Sequence, residues 1–532
     1  MGKFINPGNA GFQIVRNDHY VDKSGIIGLI NETIDKPRRF TCICRPRRFG
    51  KSFAADMLCA YYDVSCDSHT LFDDLEIAQE DSYEAHLNQY NVIYLDITSF
   101  LSDAKQNNIR IEDVVRKIIH DLKEELEQLQ PDLASKDGLT DQMLGFVEAT
   151  GRKFVFVIDE WDALIREASG KSDVQSAYLN FLRGLFKNGN FTRKAVAAAY
   201  MTGILPIKKD GSQSAISDFR EYSILTPGRF AKYTGFTEEE VRRLCMEYDM
   251  DFKKAKEWYD GYSLGNLTSV YNPYSVMMAM ENQRYQSYWQ QTSAAEALLT
   301  YIDMDEDGLQ DEIARLISGE WIAIKTSGFQ NDFETFHSKD DVLTLLVHLG
   351  YLAYECDDQG VETVWIPNEE VRIEFHNILR KGKHQEFLKL VKASDQLLED
   401  TLQGNGEAVA AAMEKLRASH YAPTFYNDEQ TLRSMIRMAY ITCVDQYLKI
   451  EELPSGKGLA DVVFIPTKKS WMPAMVIELK WNKSEQGAIA QIKDRNYPAV
   501  LRGVSGTILL VGINYDEKTK KHSCMIERMN LS

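Results

Sequence analysis

Five apolar or β-branched residues, Phe40 to Cys44 (FTCIC), run straight into Arg45-Pro46-Arg47-Arg48-Phe49-Gly50-Lys51-Ser52. A helical pattern follows, with Phe53, Met57, Leu58 and Tyr61 at helix-face spacing. No other stretch narrows the fold as much, because a buried strand, a loop ending Gly-Lys-Ser and a helix form the context a GxxxxGK[ST] loop requires. In such a loop the backbone N–H groups and the helix N-terminus cradle phosphate oxygens. The residues from Arg45 to Phe53 are therefore the candidate nucleotide-binding segment. Gly50 lets the backbone approach, Lys51 is expected to reach the β- and γ-phosphates, and the Ser52 hydroxyl to ligate magnesium. The loop departs from the general pattern at its first position, where Arg45 replaces glycine.

A phosphate loop needs an acidic partner, and Lys153 to Asp162 (KFVFVIDEWD) supplies one. Its apolar run ends in two carboxylates, as expected of a central parallel strand delivering acids at its C-terminal edge. Asp159 is placed to hold magnesium, Glu160 to polarise the attacking water, and Asp162 to support them. Two further strands fit the same sheet: Val92 to Ile97, ending near Asp96, and Ala195 to Ile204. Thr202, at the end of the second, is either a turn residue or a polar group sensing the γ-phosphate. The expected core is an α/β P-loop NTPase with a mostly parallel sheet.

A chain of 532 residues exceeds one hydrophobic core and should divide into two to four domains. Its formal charge of -18 argues against a generally basic, non-specific nucleic-acid binder. Any nucleic-acid contact is then confined to one face, such as that near Lys480, Lys483, Lys493 and Arg495. The cysteines are scattered without a CxxC pair, which points to a reducing cytoplasm rather than to disulfides or zinc. No run of about 18 apolar residues predicts a membrane span.

Near the C-terminus, Leu459–Ile465 (LADVVFI) and Ala474–Lys480 (AMVIELK) read as paired strands. A hairpin centred on the intervening turn puts Asp461 directly across from Glu478, with Lys480 on the same face. Three charges converging on an apolar hairpin are costly unless used. The pattern matches D…ExK, in which two carboxylates (Asp461, Glu478) bind a hard cation and Lys480 orients water or stabilises charge. Earlier in the chain, Asp341–Tyr351 reads as an amphipathic helix followed by a hairpin around Asp357–Gly360, a winged-helix-like pattern. The acidic segment 368–376 favours a structural over a DNA-binding role for it.

Taken together, YVDKS (20–24), CRPRRFGKS (44–52), VIDEWD (157–162), MTGILPI (201–207), GFTEEEV (235–241), WYDGYSLG (258–265) and YNPYS (271–275) resemble the AAA-ATPase-like proteins common in Bacteroidetes. The resemblance covers nearly the whole chain and implies that RPRRFGKS is the family's own loop variant. It also implies a C-terminal domain of the PD-(D/E)XK nuclease superfamily. In that domain Glu429 is the candidate N-terminal acid and Gln491 resembles the glutamine that often follows the motif. Thr237 with Glu240 reads as a capping box, and the aromatic motifs as packing around a helical lid.

The expected organisation is an ATPase core at 1–235, a helical lid at 236–300, a winged-helix-like and helical linker at 301–395, and an α/β nuclease-like domain at 396–532. ATP and Mg2+ are the expected cofactors, nucleotide and DNA or RNA the expected partners. Two functions fit: an ATPase coupled to a magnesium-dependent nuclease, or a regulatory ATPase whose C-terminal domain only binds nucleic acid or protein. Arg193, Arg220 and Arg229 follow the sheet as arginine-finger candidates.

Overall fold

The computed structural model describes residues 2–207, 209–210, 213–214, 216, 218–289, 308–317, 319–329, 338–381, 385–420, 429–440, 442–443, 447–455, 458–466, 472–494 and 507–530. The chain forms two compact units, one of residues 1–289 with 323–370 and one of 290–322 with 371–532.

The first unit is built on five parallel strands: β1 (Phe40–Cys44), β2 (Asn91–Asp96), β3 (Phe154–Asp159), β4 (Val196–Gly203) and β5 (Arg220–Tyr222). Their order across the sheet is β2-β3-β4-β1-β5. Side-chain alternation explains why both faces are covered. Phe40, Cys42 and Cys44, with Phe154, Phe156 and Ile158, enter one apolar cluster. Ile43, Val155, Val157 and Tyr200 enter the cluster on the opposite face. The register sets Asp96 beside Asp159 and Cys44 beside Gly203, so the acid and loop strands finish at one edge. β5 escapes sequence reading because it is three residues long, at the sheet edge and partly exposed.

Beyond the sheet, helices Glu238–Glu247, Phe252–Tyr259 and Pro273–Asn282 surround a small antiparallel sheet of Phe236–Thr237, Leu267–Tyr271 and Tyr262–Leu264. The Thr237–Glu240 capping box is present in both directions. Tyr259, Tyr262 and Tyr271 are fully buried, in keeping with a packing role. Helix Lys339–Leu349 precedes the hairpin Ala353–Cys356/Glu362–Trp365. The helix is not amphipathic in its surroundings: residues Val342 to Gly350 are all buried. Its polar members read as a solvent face, yet Thr344 satisfies its hydroxyl on the Asp340 carbonyl at 2.7 Å and His348 stacks on Phe329.

The second unit carries a mixed sheet in chain order: β6 (Tyr447–Ser455), β7 (Gly458–Pro466), β8 (Ala474–Trp481), β9 (Thr507–Asp516) and β10 (Lys521–Asn530). Only β8 and β9 pair in parallel, joined by helix Glu485–Asp494. Val463, Ala474 and Val476 pack with Ile489 and Ile492 of that helix. Val462, Met475, Ile477 and Leu479 face the other way, against Leu432, Met435 and Ile436 of helix Glu429–Ala439. Among the described residues no helix is long and apolar enough to cross a membrane.

Candidate functional site

The loop after β1 is held from outside. Arg45 is fully buried, its N–H bonded to the Gly203 carbonyl at 3.0 Å. Its guanidinium donates to Thr234 Oγ1 and to the carbonyls of Cys44 and Tyr222, each at 2.9 Å. Burial lowers its pKa to about 10. The N–H of Arg45 and most of its guanidinium are thus engaged by the sheet and by Thr234. Pro46 lies against Gly350, Phe49 packs edge-on against Tyr262, and the Arg48 guanidinium sits 4.0 Å from the Tyr274 ring. Arg48 (φ 69°) and Gly50 (φ 83°) take left-handed conformations, which turn the chain into helix Lys51–Tyr62. Phe53 stands 60% exposed.

Inside the loop, the Lys51 ammonium is nearly buried, 2.9 Å from the Pro46 carbonyl and 3.5 Å from Glu160. The Ser52 hydroxyl lies beside Asp159 and favours its charged form. Thr202 donates to Asp159 through a very short contact, because β4 lies between the loop strand and the acid strand. Ser52, Asp159 and Thr202 therefore meet at one point. Burial raises the Asp159 pKa despite these two hydroxyls. Their hydroxyl and carboxylate oxygens are the donor type a hard divalent cation takes, so the residues present fit magnesium.

Glu160 turns back through a left-handed φ of 49°. Burial pushes its pKa up, but Lys51, Arg166 and Arg47 outweigh burial and hold it below the ordinary carboxylate value. Arg166 was not singled out in the sequence. Its guanidinium bonds Glu160 at 2.7 Å and Asp162 at 3.0 Å. Asp162 is fully buried and also accepts the Ile204 and Leu205 N–H groups, which fastens the end of β4 to β3. The legible signal was the i, i+4 spacing of Asp162 and Arg166 on helix Ala163–Glu167. Of the finger candidates, Arg229 pairs with Glu32, Arg193 bonds the Gly189 carbonyl, and Arg220 lies exposed on β5.

In the second unit, β7 pairs with β8 from Phe464↔Met475 to Val462↔Ile477, and one step further sets Asp461 opposite Glu478. At that step the Asp461 carboxylate, rather than its backbone, takes the Leu479 N–H at 2.8 Å. Lys480 reaches Glu478 at 3.0 Å, and Gln491 meets the same oxygen in a very short contact. Arg433, unnoticed in the sequence, binds the other Asp461 oxygen at 2.6 Å. Asp461, Glu478 and Lys480 are 7%, 2% and 7% exposed. Two adjacent carboxylates suit a hard cation, although no cluster of three or more His, Cys, Asp or Glu side chains that could hold a metal occurs among the described residues. Glu429 begins the helix that carries Arg433; its side chain lies outside the described residues. Lys480 is neutralised by Glu478 and Lys493 by Glu527, while Arg495 lies outside the described residues.

A glycine-lysine-serine loop facing a strand-terminal Asp-Glu across an intervening parallel strand defines the first unit as a P-loop NTPase. The chain joins an AAA-ATPase-like domain to a domain of the PD-(D/E)XK nuclease superfamily: residues 9–212 match the family described as "Predicted AAA-ATPase", and residues 404–524 match that superfamily. No curated protein matches. Similar solved structures include the Aeropyrum pernix ORC2 protein in its ADPNP-ADP complexes (9% identity, 68% of this chain and 96% of that one, TM-score 0.31). Another is C. elegans PCH-2 (11%, 64% and 66%, TM-score 0.21). A third is Drosophila ORC bound to AT-rich DNA and Cdc6 (9%, 69% and 93%, TM-score 0.17). Likenesses this distant do not bear on activity.

Proposed function

We propose that this protein hydrolyses ATP at the loop around Gly50 and carries, in its second unit, a magnesium-dependent nuclease acting on DNA or RNA. The observation that carries the first half is the meeting of Ser52, Asp159 and Thr202 beside Lys51 and Glu160. The backbone N–H groups from Arg47 to Phe53 bind phosphate oxygens, and Lys51 exchanges the Pro46 carbonyl for the β- and γ-phosphates. Glu160, kept ionised by its cations, orients the attacking water. Thr202, bonded to Asp159, reports the γ-phosphate. Ser52 and Asp159 would hold magnesium, which would supply charge neutralisation for the phosphates.

The second half is supported by Asp461, Glu478 and Lys480 meeting at the β7–β8 fork, with Gln491 bonded to Glu478. There Lys480 orients the nucleophile, and Asp461 and Glu478 would hold a divalent cation, which would supply Lewis-acid activation of water. We assign the ATPase core to 1–235, lid to 236–300, linker to 301–395 and nuclease-like domain to 396–532. We place the protein in a reducing cytoplasm, its eight cysteines being free thiols. A second reading has its own observation. Arg433 and the Leu479 N–H occupy both Asp461 oxygens, as expected of a regulatory ATPase whose second domain binds without cutting.

Cleavage of labelled DNA and RNA with magnesium or manganese separates these readings. Asp461→Ala abolishes cleavage in the first, and Lys51→Ala abolishes it only if nucleotide drives the nuclease. Measurable ATP turnover with no cleavage by the wild type supports the second.

A further inference from the structure

Asp461 and Glu478 bring two negative charges into a nearly closed site, and Lys480 and Arg433 bring two positive ones. The four side chains sum to zero without any added ion. This balance matters because a buried, unpaired carboxylate costs several kcal/mol. The two cations have separate partners. Lys480 stays on Glu478, its neighbour along the same face of β8, whereas Arg433 arrives from helix Glu429–Ala439, 28 residues before Asp461. Its contact, at 2.6 Å to Oδ1, completes the Asp461 carboxylate, whose Oδ2 already accepts the Leu479 N–H.

We propose that Arg433 is the resident counter-cation of this carboxylate pair and competes with a divalent cation for Asp461. This rests on the reading of Asp461 and Glu478 as a divalent-cation site. A cation entering beside Asp461 must take the oxygen Arg433 holds, or leave the cluster with two positive charges in excess. Arg433 therefore gives up Asp461 when the cation binds. Once released, its planar guanidinium matches the non-bridging oxygens of a phosphodiester, an anion that offsets part of the positive charge the cation brings. Metal and nucleic-acid backbone then bind cooperatively, and in the metal-free site Asp461 stays paired with Arg433.

The test is a calorimetric titration of the full-length protein with manganese alone, comparing wild type, Arg433→Gln, Arg433→Lys and Asp461→Asn. The proposal expects Arg433→Gln to bind manganese at least tenfold more tightly than wild type, Arg433→Lys to fall between them, and Asp461→Asn to lose binding. Equal affinity in wild type and both Arg433 variants, lost in Asp461→Asn, overturns the proposal while leaving the cation site standing. Absence of binding in every form overturns the cation site itself, and the proposal with it. Should Arg433→Gln fail to fold, Arg433→Lys decides the matter: wild-type affinity there is a refutation, tighter binding a confirmation.

Discussion

Asp56 lies on the loop helix, half-buried and near Asp159 and Asp96, and this surrounding shifts its titration. Burial, then repulsion from Asp159 and Asp96, raises its pKa from 3.8 to about 6. Between those values the folded protein holds a proton that the unfolded chain has lost. Stability from this group is therefore complete below about pH 4 and is lost as pH rises through 6. The loss is on the order of 3 kcal/mol. Asp56→Asn removes the titration, so its melting temperature should exceed that of wild type at pH 8 and match it near pH 4. An equal difference at both pH values would contradict the assignment. Residues such as Lys51 and Asp159 were legible because their chemistry is tied to a local pattern. Arg166 and Arg433 were not: each acts through a carboxylate that the fold supplies, and Arg433 meets Asp461 from another element.

At the scale of elements, the loop geometry depends on packing from residues far along the chain. Gly350 ends helix Lys339–Leu349 with φ 87°, and a Cβ there would stand 2.7 Å from Pro46 Cβ. Gly350→Ala meets both penalties, the left-handed backbone and the collision. It should cost about 1–3 kcal/mol in urea unfolding and weaken nucleotide binding severalfold, since the Pro46 carbonyl holds Lys51. Unchanged nucleotide affinity in a folded variant would show that the loop does not depend on this contact. Strands β1 to β4 were readable from apolar runs ending in functional groups, and the β7–β8 pairing from the period-two pattern around its turn. The burial of helix Lys339–Leu349 was not, because Thr344 and His348 read as polar until tertiary packing encloses them. Arg45 shows the same limit: nothing local in the sequence signals that its guanidinium ties the loop to Thr234 and Tyr222.

For the whole molecule, each centre is contained in one compact unit: Lys51, Asp159 and Thr202 in the first, Arg433, Asp461 and Glu478 in the second. Substitution at one centre should leave ligand binding at the other intact, which lets the coupling between them be read from activity. The two-part character was visible in the sequence because each half carries its own spaced motif. The return of residues 323–370 to the first unit was not, since it rests on packing rather than pattern. The central claim, that the Gly50 loop binds a triphosphate and Glu160 acts on it afterwards, meets its most direct test in a titration with ATP and magnesium followed by turnover. The account predicts that wild type and Glu160→Gln bind, that Lys51→Ala loses at least tenfold in affinity, and that Glu160→Gln hydrolyses at least a hundredfold more slowly. Wild-type affinity in Lys51→Ala, or undiminished turnover in Glu160→Gln, would contradict it.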